Sequence, residues 1–255
     1  MSGIRFALRQ AVYTNKAFWR NPASAFFTFA FPLMFLVIFT TLFGNSDTPT
    51  AAGTIKTSTF YIPGMATFAV ISACYTNIAI SVAYARDEGI LKRTRGTPMP
   101  GWSYLLGRVL HAMVIAVVLV VIVGAFGKFI YDAQLPTGTP LVQFLIALVV
   151  GSGAFAALGL ALTCVIPNAD ASPAIVNASI LPLLFLSDVF IPLGRDPAAW
   201  VNAIGVIFPV RHFANAMQAA FLGAPFSWSD VLVVALWGIG GLLVAARYFR
   251  WEPRH

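Results

Sequence analysis

Long apolar stretches separated by short polar segments make up most of the 255-residue chain. Crossing a hydrocarbon layer of about 30 Å takes about 20 apolar helical residues, because a helix satisfies its own backbone hydrogen bonds. The pattern predicts an all-α polytopic membrane protein with six transmembrane helices, the fifth of them shorter than the rest. The predicted spans cover residues 24–44, 60–85, 104–129, 141–166, 174–191 and 230–248.

Two further helical segments are predicted outside these spans. In residues 4–20, Ile4, Leu8 and Val12 recur near helical spacing while basic residues occupy other faces, which predicts an interfacial helix on the membrane surface. Residues 192–229 are too apolar for a solvated loop and contain two pieces of about ten residues, separated by Pro209, which indicate a re-entrant helical hairpin at the outer face. The whole chain, residues 1–255, is predicted to be a single transmembrane domain.

Composition and charge support a membrane protein and set its orientation. Hydrophobic residues make up 59% and charged residues 10% of the chain, and the net charge of +7 is spread over short loops, unlike a nucleic-acid-binding surface. Lysine and arginine resist translocation, so the side that carries more of them is cytoplasmic. We therefore predict a cell membrane protein with both termini in the cytoplasm. The inside set is Arg5, Arg9, Lys16, Arg20, Arg86, Lys92, Arg93, Arg95, Arg108, Arg247, Arg250 and Arg254, and the outside set is Lys56, Lys128, Arg195 and Arg211.

The sequence carries few groups that could perform chemistry alone. It has no G-x-x-x-x-G-K-[S/T] loop to hold ATP phosphates, and its three histidines lack acidic residues or thiols at metal-ligand spacing. Small residues in the fourth span are interpreted as points where helices approach closely. They are Gly151, Gly153, Ala157 and Gly159.

Ionisable residues within spans are costly and are therefore functional candidates. Asp188 lies near the outer end of the fifth span, where it could line a substrate path, pair with Arg195 or Arg211, or reach outer-leaflet water. Arg108 and His111, one helical turn apart, are predicted to reach toward the cytoplasmic headgroups.

The loop at residues 86–98 has its acidic residues first and its basic residues after them. This order matches a helix dipole and predicts a short cytoplasmic helix from about Asp87 to Arg95, ended by Gly96 and Pro98. Ile90 and Leu91 are predicted to give this helix an exposed apolar patch, which favours docking to a cytoplasmic partner.

This loop resembles the R-[DE]-E-G-x-L-x-R segment, followed by proline, of the membrane subunits of type-2 ABC exporters, a family of drug-resistance, polysaccharide and lipid permeases. The predicted topology agrees with that family over the whole chain. The end of the fifth span is similar to the family's L-S-G-x-F-x-P, with Asp188 in place of the glycine. The matching residues there are Leu186, Ser187, Phe190 and Pro192.

The resemblance implies a subunit of an ATP-driven exporter that is not catalytic by itself. Separate ABC ATPase subunits would bind ATP and magnesium, and this chain would bind no cofactor. A second permease subunit would complete the path, as a homodimer or a related heterodimer, and the cargo would be a hydrophobic drug, lipid or lipid-linked glycan. The N-terminal helix would form a second contact with the ATPase. The residues implied in coupling are Arg86, Asp87, Glu88, Gly89, Ile90, Leu91, Lys92 and Arg93.

Two other classes fit the residues less well. A secondary transporter or channel without an ATPase typically has charged or broken helices at the bilayer midplane, and transporters often show repeat symmetry. A membrane-embedded enzyme needs catalytic groups that converge at one depth.

Overall fold

Helices form almost all of the structure, a computed structural model that describes residues 3–44, 47–50, 53–187, 189–190 and 198–252. A short antiparallel pair of strands, β1 (Asp47–Thr50) and β2 (Gly53–Lys56), precedes the second span. The helices of the described residues are α1 Gly3–Trp19, α2 Pro22–Phe43, α3 Thr57–Ile71, α4 Asn77–Asp87, α5 Ile90–Arg95, α6 Gly101–Tyr131, α7 Thr139–Leu162, α8 Ser172–Phe185, α9 Ala199–Ile207, α10 Pro209–Leu222 and α11 Trp228–Tyr248.

The prediction of an all-α polytopic membrane protein is confirmed. Within the described ranges, five helices are long and apolar enough to cross a membrane, and they match the first, second, third, fourth and sixth predicted spans. The fifth predicted span, 174–191, corresponds to the 14-residue helix α8, which ends at Phe185. Residues 188 and 191–197, including the end of that predicted span and the start of the predicted outer hairpin, lie outside the described residues.

The second span is the most buried one and contains a turn of π-helix. The helix runs without a break over Thr57–Asp87, and its segment Ser72–Thr76 is π-helical between α3 and α4. A Cβ added to Gly159 of α7 would lie 2.7 Å from the carbonyl oxygen of Tyr75 in this segment. Gly159 is therefore a point of close helix approach, as predicted.

Small residues also bring α7 against other helices. A Cβ added to Gly151 would lie 2.1 Å from the ring of Phe213 in α10, and one added to Gly238 of α11 would lie 2.7 Å from Ala154. The packing prediction is confirmed for Gly151 but is wrong for Gly153, where nothing lies within 4 Å of an added Cβ. Gly153 borders an apolar groove, whereas Gly151 faces a neighbouring helix.

The N-terminal helix α1 packs one face on the start of α6. Ala7 is fully buried, and a Cβ added to Gly107 of α6 would lie 2.7 Å from the carbonyl oxygen of Ala7. On the other side Ile4, Leu8 and Val12 are each more than half exposed. Exposed apolar residues one turn apart suit a helix at a membrane surface, and that location stays a prediction.

Two short helices, α9 and α10, precede the last span and are joined to its first turn. The helix α9 ends before Phe208, whose backbone is extended, and Pro209 starts α10. His212 of α10 bridges two acceptors, with Nδ1 2.5 Å from an Asp230 oxygen in α11 and Nε2 2.9 Å from the carbonyl oxygen of Val206 in α9. This histidine ties both short helices to the last span.

An ion-pair cluster joins the strand pair to the end of α6. Asp132 follows that helix with a positive φ of 51°, and its carboxylate lies 3.1 Å from Lys128 and 3.2 Å from Lys56. Hydrogen bonds from Lys128 and then from Lys56 lower the pKa of Asp132 below its ordinary value.

Candidate coupling site

A left-handed glycine separates the second span from the short helix α5. The span ends at Asp87, Glu88 caps it, and Gly89 has a φ of 69°. The predicted helix from Asp87 to Arg95 is therefore shorter than expected, running over Ile90–Arg95. The reason is that a left-handed residue ends one helix and redirects the chain before the next.

Arg86 is buried and holds the turn that follows α7. Its side chain is only 2% exposed. Nη1 donates to the carbonyl oxygen of Thr163 at 2.9 Å, and Nη2 donates to that of Ile166 at 2.8 Å. Carbonyls at the C-terminal end of a helix lack partners inside it, and the helix dipole favours a positive charge there.

Asp87 holds the next part of the same connection. Its Oδ2 accepts a hydrogen bond from the backbone N–H of Ala169 at 2.5 Å, and its Oδ1 lies 3.5 Å from Nε of Arg86. Together the two side chains attach the end of α4 to the segment between α7 and α8. We call this pair the Arg86–Asp87 clamp.

Leu91 anchors α5 from its inner side. The prediction that Ile90 and Leu91 form an exposed apolar patch is wrong for Leu91, which is fully buried, and holds for Ile90, which is 37% exposed. One turn of helix cannot present adjacent residues in the same direction, so one points inward. The outward residues of α5 and its N-terminal approach are Glu88, Ile90, Lys92, Arg93 and Arg95.

This arrangement can transmit movement. The helix α5 is short, exposed on one side and packed into the bundle on the other through Leu91, and it follows shortly after the Arg86–Asp87 clamp at the end of α4. A push on its outer side would reach the second span directly and the α7–α8 connection through the clamp. Sequence reasoning counted Arg86 and Asp87 among the residues that contact the ATPase and missed their inward contacts, because these join residues about 80 positions apart.

The other predicted site residues are distributed elsewhere. Asp188 and Arg195 lie outside the described residues. The prediction that His111 reaches the headgroups is wrong, because its side chain is buried beside the ring of Phe18. Arg108 is half-buried, and its Nε donates to the hydroxyl of Tyr104 at 2.9 Å. Across the described ranges, no three histidine, cysteine or acidic residues form a group that could hold a metal ion.

The fold thus defines a polytopic helical membrane protein with a small, anchored helix between two of its spans. The family model described as ABC-2 type transporter matches residues 11–222, which is most of the chain. The chain belongs to this family and is a membrane subunit of an ABC transporter. Family membership implies association with a membrane and with an ABC ATPase, and favours a transporter subunit over a secondary transporter or an enzyme.

Several curated proteins are similar over most of this chain. The daunorubicin resistance ABC transporter permease protein DrrB1 of Streptomyces coeruleorubidus is 30% identical over 214 residues, covering 80% of this chain and 71% of that protein. The putative transport permease ycf38 of Porphyra purpurea is 25% identical over 223 residues, or 86% and 75% of the two chains. The probable multidrug ABC transporter permease YbhR of Escherichia coli K12 is 23% identical over 163 residues, or 64% of this chain and 44% of that protein.

Proposed function

We propose that the chain is the membrane-spanning permease of an ATP-binding cassette exporter in the cell membrane, with both termini cytoplasmic. Separate ATPase subunits bind ATP and magnesium, and this chain supplies the substrate path without binding a cofactor. The observation that carries the proposal is the geometry around α5, which is exposed on one face, packed through Leu91 on the other, and preceded by the clamp that joins the second span to the α7–α8 connection.

In this proposal seven of the eight coupling residues divide into two groups, and Gly89 belongs to neither. Glu88, Ile90, Lys92 and Arg93 contact a groove of the ATPase, where one apolar side chain within a charged rim suits a protein interface. Gly89 sets the turn between them and the span. The inward residues Arg86, Asp87 and Leu91 pass the movement on. The N-terminal helix α1 forms a second contact.

The substrate is proposed to be a hydrophobic drug, lipid or lipid-linked glycan. Support comes from the similar proteins, two of which carry daunorubicin resistance or multidrug transport in their names. Asp188 stays a candidate for the substrate path. Export as the direction of transport is inferred from the same relatives.

A second permease subunit, identical or related, is proposed to complete the path. The first span, α2, is the least covered of the long helices, with only 17% of its most apolar window buried. Phe26, Phe31, Met34 and Leu42 are exposed along its length. This face is available to a second subunit and to lipid, since both bury apolar side chains.

The coupling proposal is tested by changing the outer face of α5 while leaving its inner anchors intact. We expect Glu88→Lys combined with Lys92→Glu to prevent co-purification with the ATPase and to abolish ATP-dependent drug transport in vesicles. The matched control is Glu252→Lys combined with Arg250→Glu, because both residues are also exposed and the charge changes are the same. Full complex formation and transport by the double variant, with its folding verified by size-exclusion chromatography, would refute the assignment of α5 as the ATPase contact.

A further inference from the structure

A cavity of about 860 Å³ lies between α1, α2, the second span, α5 and α6. It is in the half of the bundle that is predicted to face the cytoplasm. Its size is within the range of about 300–1,000 Å³ typical of small-molecule sites. One wall is aromatic and includes Phe27, Phe31 and Phe68. Phe27 and Phe31 are partly exposed, so this wall is open toward the hydrocarbon layer.

The cavity lining also includes Arg108, which has no counter-ion among the described residues. The guanidinium of Arg108 lies over the ring of Tyr104, and Nε donates to that residue's hydroxyl. Among the described residues, no carboxylate lies within 4 Å of Arg108, and none of the side chains that line the cavity is acidic. Within the described ranges the Arg108 hydrogen bond is made by Nε, so its two Nη groups can bind an anion in the paired geometry that carboxylates and phosphates accept.

A buried histidine one turn deeper is also unsatisfied. His111 lines the cavity, is 9% exposed, and its Nδ1 has no hydrogen-bond partner in the part of the chain that the structure describes. Buried polar atoms are nearly always paired, so an exception calls for a functional explanation. Because Nδ1 is itself buried, a headgroup in the cavity gains a partner there only through a rotation of the imidazole.

The π-helical turn adds hydroxyl groups to the lining of the cavity. Ser72 and Thr76 lie at the two ends of this turn, and both line the cavity. Thr28 of α2 lines it from the other side. Single π-helical turns occur frequently at functional sites. The hydroxyls of Ser72 and Thr76 give the lining further polar groups, whereas the Thr28 hydroxyl already donates to the carbonyl oxygen of Ser24.

We propose that this cavity binds an amphiphile with an anionic headgroup, a phosphate or a carboxylate. The headgroup lies at Arg108 and His111, and the apolar chain lies along Phe27 and Phe31 toward the membrane. The site belongs to one subunit and needs no ATPase, so it does not depend on the coupling proposal. Its ligand is either a lipid of the cytoplasmic leaflet or a transported molecule of the same chemistry.

Binding is measured by native mass spectrometry of the purified permease with phosphatidylglycerol, and with phosphatidylcholine as the uncharged comparison. We expect a preference for phosphatidylglycerol, and a loss of its affinity by about tenfold or more in Arg108→Gln, as removal of a charged hydrogen-bonding group predicts. The matched control is Arg247→Gln, because Arg247 also stacks on a tyrosine of its own helix. Equal binding of both lipids, or unchanged affinity in Arg108→Gln, would overturn the proposal.

A second variant fills the cavity from another helix in case Arg108→Gln does not fold. Thr28→Trp should displace phosphatidylglycerol, whereas Thr41→Trp, on the same helix away from the cavity, should not. Full binding of phosphatidylglycerol by Thr28→Trp would contradict the site.

A transport assay in vesicles that contain the ATPase distinguishes a resident lipid from a transported ligand. A transported ligand predicts ATP-driven movement of labelled phosphatidylglycerol between leaflets that Arg108→Gln abolishes, and a resident lipid predicts binding without movement.

Discussion

Replacing Arg86 with methionine removes the positively charged half of the clamp while keeping a side chain of comparable length. The two short hydrogen bonds to the carbonyl oxygens of Thr163 and Ile166 disappear, and both acceptors stay buried. A hydrogen bond to a charged group contributes about 1.5–3 kcal/mol, so the loss is about 3–6 kcal/mol. Solvent screens these two hydrogen bonds very little, because the Arg86 side chain is 2% exposed.

Thermal unfolding of the purified permease in detergent measures this loss. On the scale of about 2–4 °C per kcal/mol for domains of this size, Arg86→Met should lower the midpoint by at least about 6 °C. The matched control is Arg93→Met, because Arg93 makes one exposed hydrogen bond, to the carbonyl oxygen of Glu88. A midpoint for Arg86→Met equal to that of Arg93→Met would show that the clamp does not hold the two segments together.

Two further predictions concern packing and pH. Gly159→Ala should destabilise the fold by about 1–3 kcal/mol, because the new Cβ meets the Tyr75 backbone. Gly153→Ala should be neutral or stabilising, because nothing lies within 4 Å of its new Cβ. Chemical denaturation of both variants measures the difference. The lowered pKa of Asp132 means that its ion pairs stabilise the fold above its ordinary pKa of about 4 and are lost as the pH falls through the lowered value. Asp132→Asn should remove that part of the pH dependence of the unfolding midpoint, and an unchanged profile would contradict the assignment.

Periodicity and composition predicted the spans well because a membrane helix must satisfy its own backbone. The same reasoning could not predict the π-helical turn at Ser72–Thr76, since it arises where α7 approaches through Gly159. It also assigned a packing role to Gly153, because a run of small residues does not reveal which of them faces a neighbour.

The short helix α5 was predicted in its position along the chain, but not in which of its residues face inward. The order of charges located a short helix after the second span, and Gly89 was included without its left-handed conformation being foreseen. Burial of Leu91 and Arg86 depends on elements far away in sequence. A charged residue at the end of an apolar span is equally compatible with solvent and with a neighbouring helix end, and only the three-dimensional contacts distinguish the two.

The inward and outward residues of the coupling site place different physical demands on the same short segment. An interface with a separate protein must form in water, so exposed charged residues such as Glu88 and Lys92 suit it. A connection inside the bundle must resist sliding of one helix along another. Apolar packing through Leu91 alone does not ensure this, because hydrophobic contacts are non-directional. The hydrogen bonds of Arg86 fix both distance and angle to the end of α7. A directional clamp behind a small exposed helix is therefore suited to turn a push by the ATPase into a defined displacement of the spans.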